Sequence, residues 1–560
     1  MNTERLFQTH EVRRQYSLDG MWEFQALESP RLPEAYRDTI SVPSCWEMVM
    51  PYCRHRGYAA YRRKVVLNKK ENLRFLFKGI SHSGTVYFDK KEVGFHYNAY
   101  TPFSVVVPDA AAGEHELEII VDNRFSEDSK LHIPNDYYTY GGITRSAFLE
   151  KVSECYIERM EFEPCYQNGG WMARIRVFIR NISGSPVEVC AAVSCAGSRI
   201  SGNITAESGQ ETMAEFCMKF TDVSEWSAET PSLYLLNAVL MKDEVPVDDL
   251  TDRIGFRIVA QEKGKILING KPVFMKGVNR HEDHGLSGCS LPLPLMDADM
   301  KLIKDMGANA VRTCHYPNDE LFLDLCDENG LLVWEESHDR GGDAERITHP
   351  RFIEQSMEVM REMLQYHYNH PSIIIWACLN EAASDCEEGA AVFKQHMDYL
   401  AKDKTRLITY ASNKSSTDIC LDMADVCSFN MYPLWYNDAT PEDELGKLRN
   451  RMSETGNAGK PIIISEFGGG AIYNFHDVMR VKWSEEFQAD LLQEVISDFL
   501  GQEDLSGIFI WQFCDVRISQ EGNRNWPMTR PKSRNNKGLV DEFRRPKQAY
   551  YTVKELYRGI

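Results

Sequence analysis

At 560 residues the chain is too long for one ordinary domain, and roughly two to four are expected. Hydrophobic residues at 43% and aromatics at 11% supply several cores and exclude a disordered chain. The formal net charge of -20 argues against nucleic acid as a main partner. Residues 1–16 are polar, and no apolar run reaches the length of a membrane span. The 15 cysteines are scattered with no CxxC pair, which reads as reduced thiols. A cytoplasmic location is therefore expected, with Asn181-Ile-Ser and Asn203-Ile-Thr unglycosylated.

Residues 1–155 read as all-β. Short strand-like runs recur between turns, such as Arg62-Arg63-Lys64-Val65-Val66-Leu67 and Thr85-Val86-Tyr87-Phe88, and no helical stripe interrupts them. A β-sandwich is predicted. Near its end lies Asp136-Tyr-Tyr-Thr-Tyr140-Gly-Gly, an aromatic loop suited to sandwich packing or to the pocket of another domain. Residues 156–258 hold further short strands and suit an immunoglobulin-like sandwich with no visible chemistry.

From residue 259 to 560 strands and helices alternate. Strand candidates begin near 273, 308, 331, 372, 407, 426, 461 and 507, with helices predicted at 294–306, 320–329 and 351–368. Eight strands in this length predict a (β/α)8 barrel. The run 372–379 is the clearest: apolar, uncharged, and ended by Asn380-Glu381. A carboxylate there is costly unless it is used or paired. In such a barrel the C-terminal strand ends are where active sites form.

Polar groups gather just past these strand ends: Asn279-Arg280-His281-Glu282, Arg312 with His315, Glu335-Glu336, Asn380-Glu381, Asn430 with Tyr432, Glu466 and Asp515. A ring of them points to one pocket. Glu381 and Glu466, each ending an apolar strand, form a pair able to hydrolyse a glycosidic bond. One protonates the leaving oxygen, and the other attacks the anomeric carbon or activates water. Sequence alone gives no separation between them, so retention and inversion both stay open. The adjacent His281, Glu282, Asp283 and His284 lack metal-ligand spacing, and no nucleotide-binding loop occurs, so neither metal nor cofactor is expected.

The chain resembles glycoside hydrolase family 2 along essentially its whole length. The landmarks are Leu18-Asp-Gly-Met-Trp-Glu-Phe24, Val42-Pro-Ser-Cys-Trp46, Gly277-Val-Asn-Arg-His-Glu282, Asn309-Ala-Val-Arg312 with His315-Tyr-Pro317, Asn380-Glu381 and Ser465-Glu-Phe-Gly468. The resemblance implies a jelly-roll-like sugar-binding domain, an immunoglobulin-like domain and a catalytic TIM barrel acting with retention. It makes Glu381 the acid/base, starting the cycle protonated, and Glu466 the nucleophile. Asn535-Asn-Lys537-Gly538 matches the Asn-x-Lys motif that β-glucuronidases set against the C6 carboxylate, and an ammonium with an amide suits an anionic sugar.

By the same resemblance Asp136 is lent to the pocket by the first domain, Tyr432 hydrogen-bonds the nucleophile, and Tyr436 and Trp511 line the sugar site. His315 and Asn380 contact sugar hydroxyls. Three departures stand out. Segment 335–350 is short where many gut bacterial relatives carry a long loop over small aglycones. Arg340 adds a cation, either pairing with Glu335, Glu336 or Asp343 or favouring galacturonides, which differ from glucuronides only at C4. Segment 520–534 is longer and more basic than that branch leads one to expect. The implied function is an exo-β-uronidase on glucuronides, galacturonides or both; the alternatives are a β-galactosidase and a non-catalytic carbohydrate-binding protein. The expected partners are a small uronide and further copies of the chain, with no membrane.

Overall fold

A computed structural model describes residues 4–521 and 529–559. In the first domain two antiparallel sheets face each other. One has four strands, with Ala147–Val152 between Arg14–Ser17 and Glu71–Phe77, and the other has six, built around Tyr58–Leu67 and Gly113–Asp122. Trp22, Phe24, Trp46, Phe75 and Phe77 fill the space between them. The second domain pairs a three-stranded and a four-stranded sheet. Its strand Glu211–Phe220 alternates between buried and exposed residues for most of its length, as period-two side-chain geometry requires of a strand with one wet face.

Eight parallel strands close into a barrel: β1 (Met275–Arg280), β2 (Ala310–Thr313), β3 (Leu332–Glu336), β4 (Ile373–Cys378), β5 (Leu407–Ser412), β6 (Cys427–Asn430), β7 (Ile462–Phe467) and β8 (Leu505–Ile510). From β2 through β8 every residue in these strands is buried, which is why they read as apolar runs without alternation. The predicted helices form at Leu293–Asp305, Glu320–Asn329 and Pro350–His367. Gly330 ends the second with φ +62, and a Cβ there would meet the Ala228 carbonyl oxygen at 2.2 Å. A small meander with Ile266 and Ile268, together with Trp226, packs where the strands begin. The opposite end is left for side chains and loops. No helix among the described residues is long and apolar enough to cross a membrane.

The first domain is fastened to the barrel by buried polar and aromatic contacts. The Arg145 guanidinium donates to Glu282 at 2.7 Å and to the Pro317 carbonyl at 2.8 Å. Tyr100 stacks on Tyr316 with ring centres 3.8 Å apart. This docking carries the aromatic loop 136–140 onto the barrel mouth. Tyr137 packs on His281 at 4.8 Å, and the Tyr140 hydroxyl donates to Asp283 at 3.1 Å.

Candidate active site

A cavity of about 410 Å³ opens at the C-terminal ends of the barrel strands, with Glu381, Glu466, Tyr432, Lys537, Arg340 and Asp136 in its wall. Each side chain is placed by its element. Glu466 is the second-last residue of β7, and both its carboxylate oxygens are engaged. Oε1 accepts from Arg312 at 2.7 Å and Oε2 from the Tyr432 hydroxyl at 2.7 Å. Arg312, on β2, also donates to Glu336 at 2.8 Å and to the Asn380 side-chain oxygen at 2.7 Å. One guanidinium therefore sets the orientation of three polar groups, on β3, just beyond β4 and on β7.

Glu381 lies beyond β4 in a turn where Leu379 and Glu381 both take positive φ, 52° and 50°. Such geometry costs a non-glycine residue on the order of 1–3 kcal/mol and persists only where neighbours hold it. Here the Asp339 carboxyl accepts from the Leu379 amide at 2.8 Å. The Gly341 amide donates to the Asn380 carbonyl at 2.5 Å, and the Glu381 amide to Ala411 at 2.8 Å. The Glu381 carboxylate accepts from the Asn430 amide at 3.0 Å.

The two carboxyl groups occupy different environments. The Glu466 side chain is 5% exposed and that of Glu381 is 25% exposed. Burial pushes the Glu466 carboxyl up to about 7, aided by the negative charge of Glu381 and opposed by Arg312 and by the Tyr432 hydroxyl. For Asp136 burial works in the same direction. There Arg340 and Arg530 outweigh it and hold the group well below the usual carboxylate range. Burial, reinforced by Arg312 and Arg340, pulls His315 well below the ordinary imidazole value, so its ring is neutral.

Lys537 is 3% exposed, and no carboxylate among the described residues lies within ion-pair distance of its ammonium. Instead Nζ donates to the Tyr436 hydroxyl at 2.9 Å and faces the rings of Tyr436, Tyr432 and Trp435 at 5.2, 5.4 and 5.7 Å. The turn that carries it is fixed from beneath. Asp515 accepts from the Gly538 amide at 2.9 Å and from Lys547 at 2.8 Å, and Lys547 donates to the Asn536 carbonyl at 3.0 Å.

Other expected residues are distributed unevenly. Trp511 lines the cavity and stacks on His315 with centroids 5.1 Å apart. His315 stands behind the wall, its Nδ1 2.8 Å from Glu336. Asn380 is fully buried with its side-chain nitrogen unpaired. Asn535 does not face the cavity. Its amide nitrogen donates to Asp136 at 3.2 Å, so it braces that carboxylate. Arg340 pairs with none of Glu335, Glu336 or Asp343. It donates to Asn135 and lies 3.5 Å from Asp136 and 3.8 Å from Glu381, because its loop turns toward the first domain.

Several members of the expected polar ring point elsewhere, Arg280 to Asp299 and Glu282 to Arg145 among them. Glu335 faces His367 at 2.8 Å, and Asp515 serves the Lys537 turn. His281, Glu282, Asp283 and His284 diverge to separate partners, so they do not form a ligand set. Two groupings of metal-ligand types, Glu4–His10–Glu150 with Glu4 partly exposed and the buried Asp324–Asp327–His370, lie outside the cavity. Arg13 at 3.1 Å from Glu150 and Arg5 at 2.7 Å from Asp324 supply the positive charge there. Sequence reasoning missed Arg530, Asn413, Ser415 and Glu444, which also line the cavity. All four sit in loops or at a helix start with no apolar run to flag them. Of segment 520–534, residues 522–528 lie outside the described residues.

A model for the TIM barrel domain of glycosyl hydrolases family 2 matches residues 259–560, and a second family 2 model matches 156–257. The β-galacturonidase of Eisenbergiella tayi, solved with galacturonate bound, is 43% identical with a TM-score of 0.95, covering 100% of this chain and 99% of that one. The β-D-glucuronidase of Dictyoglomus thermophilum is 25% identical with a TM-score of 0.83, covering 98% of both chains. Human β-glucuronidase is 26% identical over 605 residues, 97% of this chain and 90% of its own.

Proposed function

Because the chain belongs to glycosyl hydrolases family 2 and is a glycosidase, we propose that it is a retaining exo-β-uronidase in which Glu466 is the nucleophile and Glu381 the acid/base. The observation that carries the substrate class is Lys537, a buried ammonium with aromatic rings around it and no carboxylate within ion-pair distance among the described residues. A buried charge without a counter-ion is costly, and the C6 carboxylate of a uronic acid supplies one in the complex.

The exposure difference supports the roles. Glu466, enclosed and gripped through both oxygens, is oriented for attack on the anomeric carbon. Glu381, nearer solvent, can protonate the departing oxygen and later take a proton from incoming water. In the first step Glu466 forms an ester bond to C1 as the glycosidic C–O bond breaks and Glu381 gives up its proton to the leaving oxygen. In the second, water attacks C1 as it gives a proton to Glu381, the ester bond to Glu466 breaks and the uronic acid leaves.

Within the uronides, Arg340 favours galacturonides. It adds a cation beside Asp136 and Glu381, and the 43% identical relative is a β-galacturonidase. The test is to compare 4-nitrophenyl β-D-galacturonide, glucuronide and galactoside side by side. Hydrolysis of both uronides, galacturonide faster, is expected; activity on the galactoside alone overturns the assignment. Lys537→Ala should lower kcat/KM for the uronides about 100-fold, the equivalent of a charge-assisted contact of ~3 kcal/mol.

A further inference from the structure

We propose that Cys45 and Cys289 form an oxidation site, a pair of thiols that a small disulfide converts into a covalent clasp between the first sandwich and the barrel. Their Sγ atoms lie 3.5 Å apart, although 244 positions separate the two residues in the chain. It is the one hydrogen-bond contact between two thiols among the described residues. The site lies away from the catalytic cavity, and nothing in it depends on the uronidase reading.

Each thiol belongs to a different domain. Cys45 is fully buried in the turn that follows strand Asp38–Val42 of the sandwich, and Cys289 is partly exposed in the loop that follows β1 of the barrel. The Cys45 sulfur reaches its partner over Gly288. There φ is +60, and a Cβ would meet that sulfur at 3.1 Å and the Tyr140 ring at 2.9 Å. The turn holding Cys45 is tied to the end of the aromatic loop. The Ser44 amide donates to the Ile143 carbonyl at 2.9 Å and the Trp46 amide to the Gly141 carbonyl at 3.1 Å. Glu47 accepts from the Gly141 amide at 3.0 Å. A bond from Cys45 to Cys289 therefore secures to the barrel the same body that carries Asp136.

The partly exposed thiol is the one a reagent can reach. The Cys289 thiolate attacks one sulfur of oxidised glutathione, which forms a mixed disulfide and releases one glutathione thiol. The Cys45 thiol then loses its proton and attacks the Cys289 sulfur, which expels the second glutathione as a thiol. Two protein thiols are oxidised and one small disulfide is reduced. The sulfurs must close by about 1.5 Å, which side-chain rotation and the surface loop of Cys289 can supply. The contact with Cys45 holds the Cys289 thiol well above its ordinary value, so exchange is slow at neutral pH and quickens as pH rises. Once closed, the bond removes freedom mainly from the unfolded chain, and the long loop it spans makes that effect large.

The test treats the reduced full-length chain with oxidised glutathione at about pH 8.5 and digests it without reduction. Wild type should yield a linked peptide carrying Cys45 and Cys289, which dithiothreitol separates. Its melting midpoint should rise by roughly 2–5 °C over that of the reduced chain. Cys289→Ser, treated alike, should show neither the link nor the rise, and it controls for glutathione taken up by the exposed Cys217. A Cys289 that stays reduced, or that keeps glutathione without passing it on to Cys45, overturns the site, and that peptide result stands whether or not the variant folds. A link that forms yet leaves the midpoint unchanged or lowers it overturns the clasp.

Discussion

Glu466 is held by two donors that favour its charge and enclosed by a site that disfavours it, and the second effect wins. Its carboxyl stands at about 7 against an ordinary 4.5. Between those values the folded chain binds more protons at this position than the unfolded chain does, so stability is lost as pH rises through the window. Glu466→Gln resembles the protonated form at every pH. It should therefore be inactive yet more stable than wild type above pH 7, by on the order of 3 kcal/mol at most, with the gap closing toward pH 5. Melting midpoints at pH 5 and pH 8 check the sign; a variant less stable at pH 8 shows that the Arg312 pairing dominates instead. At this scale the sequence was partly legible. Glu381, Glu466, Tyr432 and Lys537 stand in recognisable surroundings, whereas Arg530 and Asn535 do not reveal their partners, because both meet Asp136 from nearly 400 residues away.

The eight barrel strands are legible because a strand buried on both faces needs an unbroken apolar run. The direction of the side chains at their ends is not given by those runs. Glu335 and Glu336 are neighbours in β3, and period-two alternation sends Glu336 toward Arg312 and Glu335 out toward His367. The loop that follows braces the strained turn of Glu381, a role with no sign in the residue pattern. Burial pushes the Asp339 carboxyl up to about 8, against its bond from the Leu379 amide, so it is neutral at pH 7 and can still accept that bond. Asp339→Asn keeps an acceptor and should retain most activity. Asp339→Ala orphans the amide and frees the turn. We expect a loss of about 1–3 kcal/mol in stability and a roughly tenfold fall in kcat with KM little changed. Equal kinetics in the two variants would mean that the other braces suffice.

Across the whole molecule, a chain of net charge -20 must still receive an anion, and it does so by gathering Lys537, Arg340 and Arg530 in one cavity wall. Neither arginine could be arranged there by the barrel alone, since Asp136, which faces both, comes from the first sandwich. That sandwich is thereby part of the site, and its docking should be measurable in the kinetics. Arg145 is the central fastener, buried at 5% exposure and bonded to Glu282, Pro317 and Tyr100. Arg145→Met leaves the Glu282 carboxylate buried without its guanidinium, a change that typically costs about 3–5 kcal/mol. If the sandwich only adds stability, the variant should melt earlier while keeping wild-type KM and kcat for the uronide well below its midpoint. If it positions Asp136, and through Asp136 the arginines, then KM should rise several-fold under those same conditions. The second outcome is expected, because the loop holding Asp136 is connected to the barrel through Tyr137 and Tyr140, a few residues from Arg145.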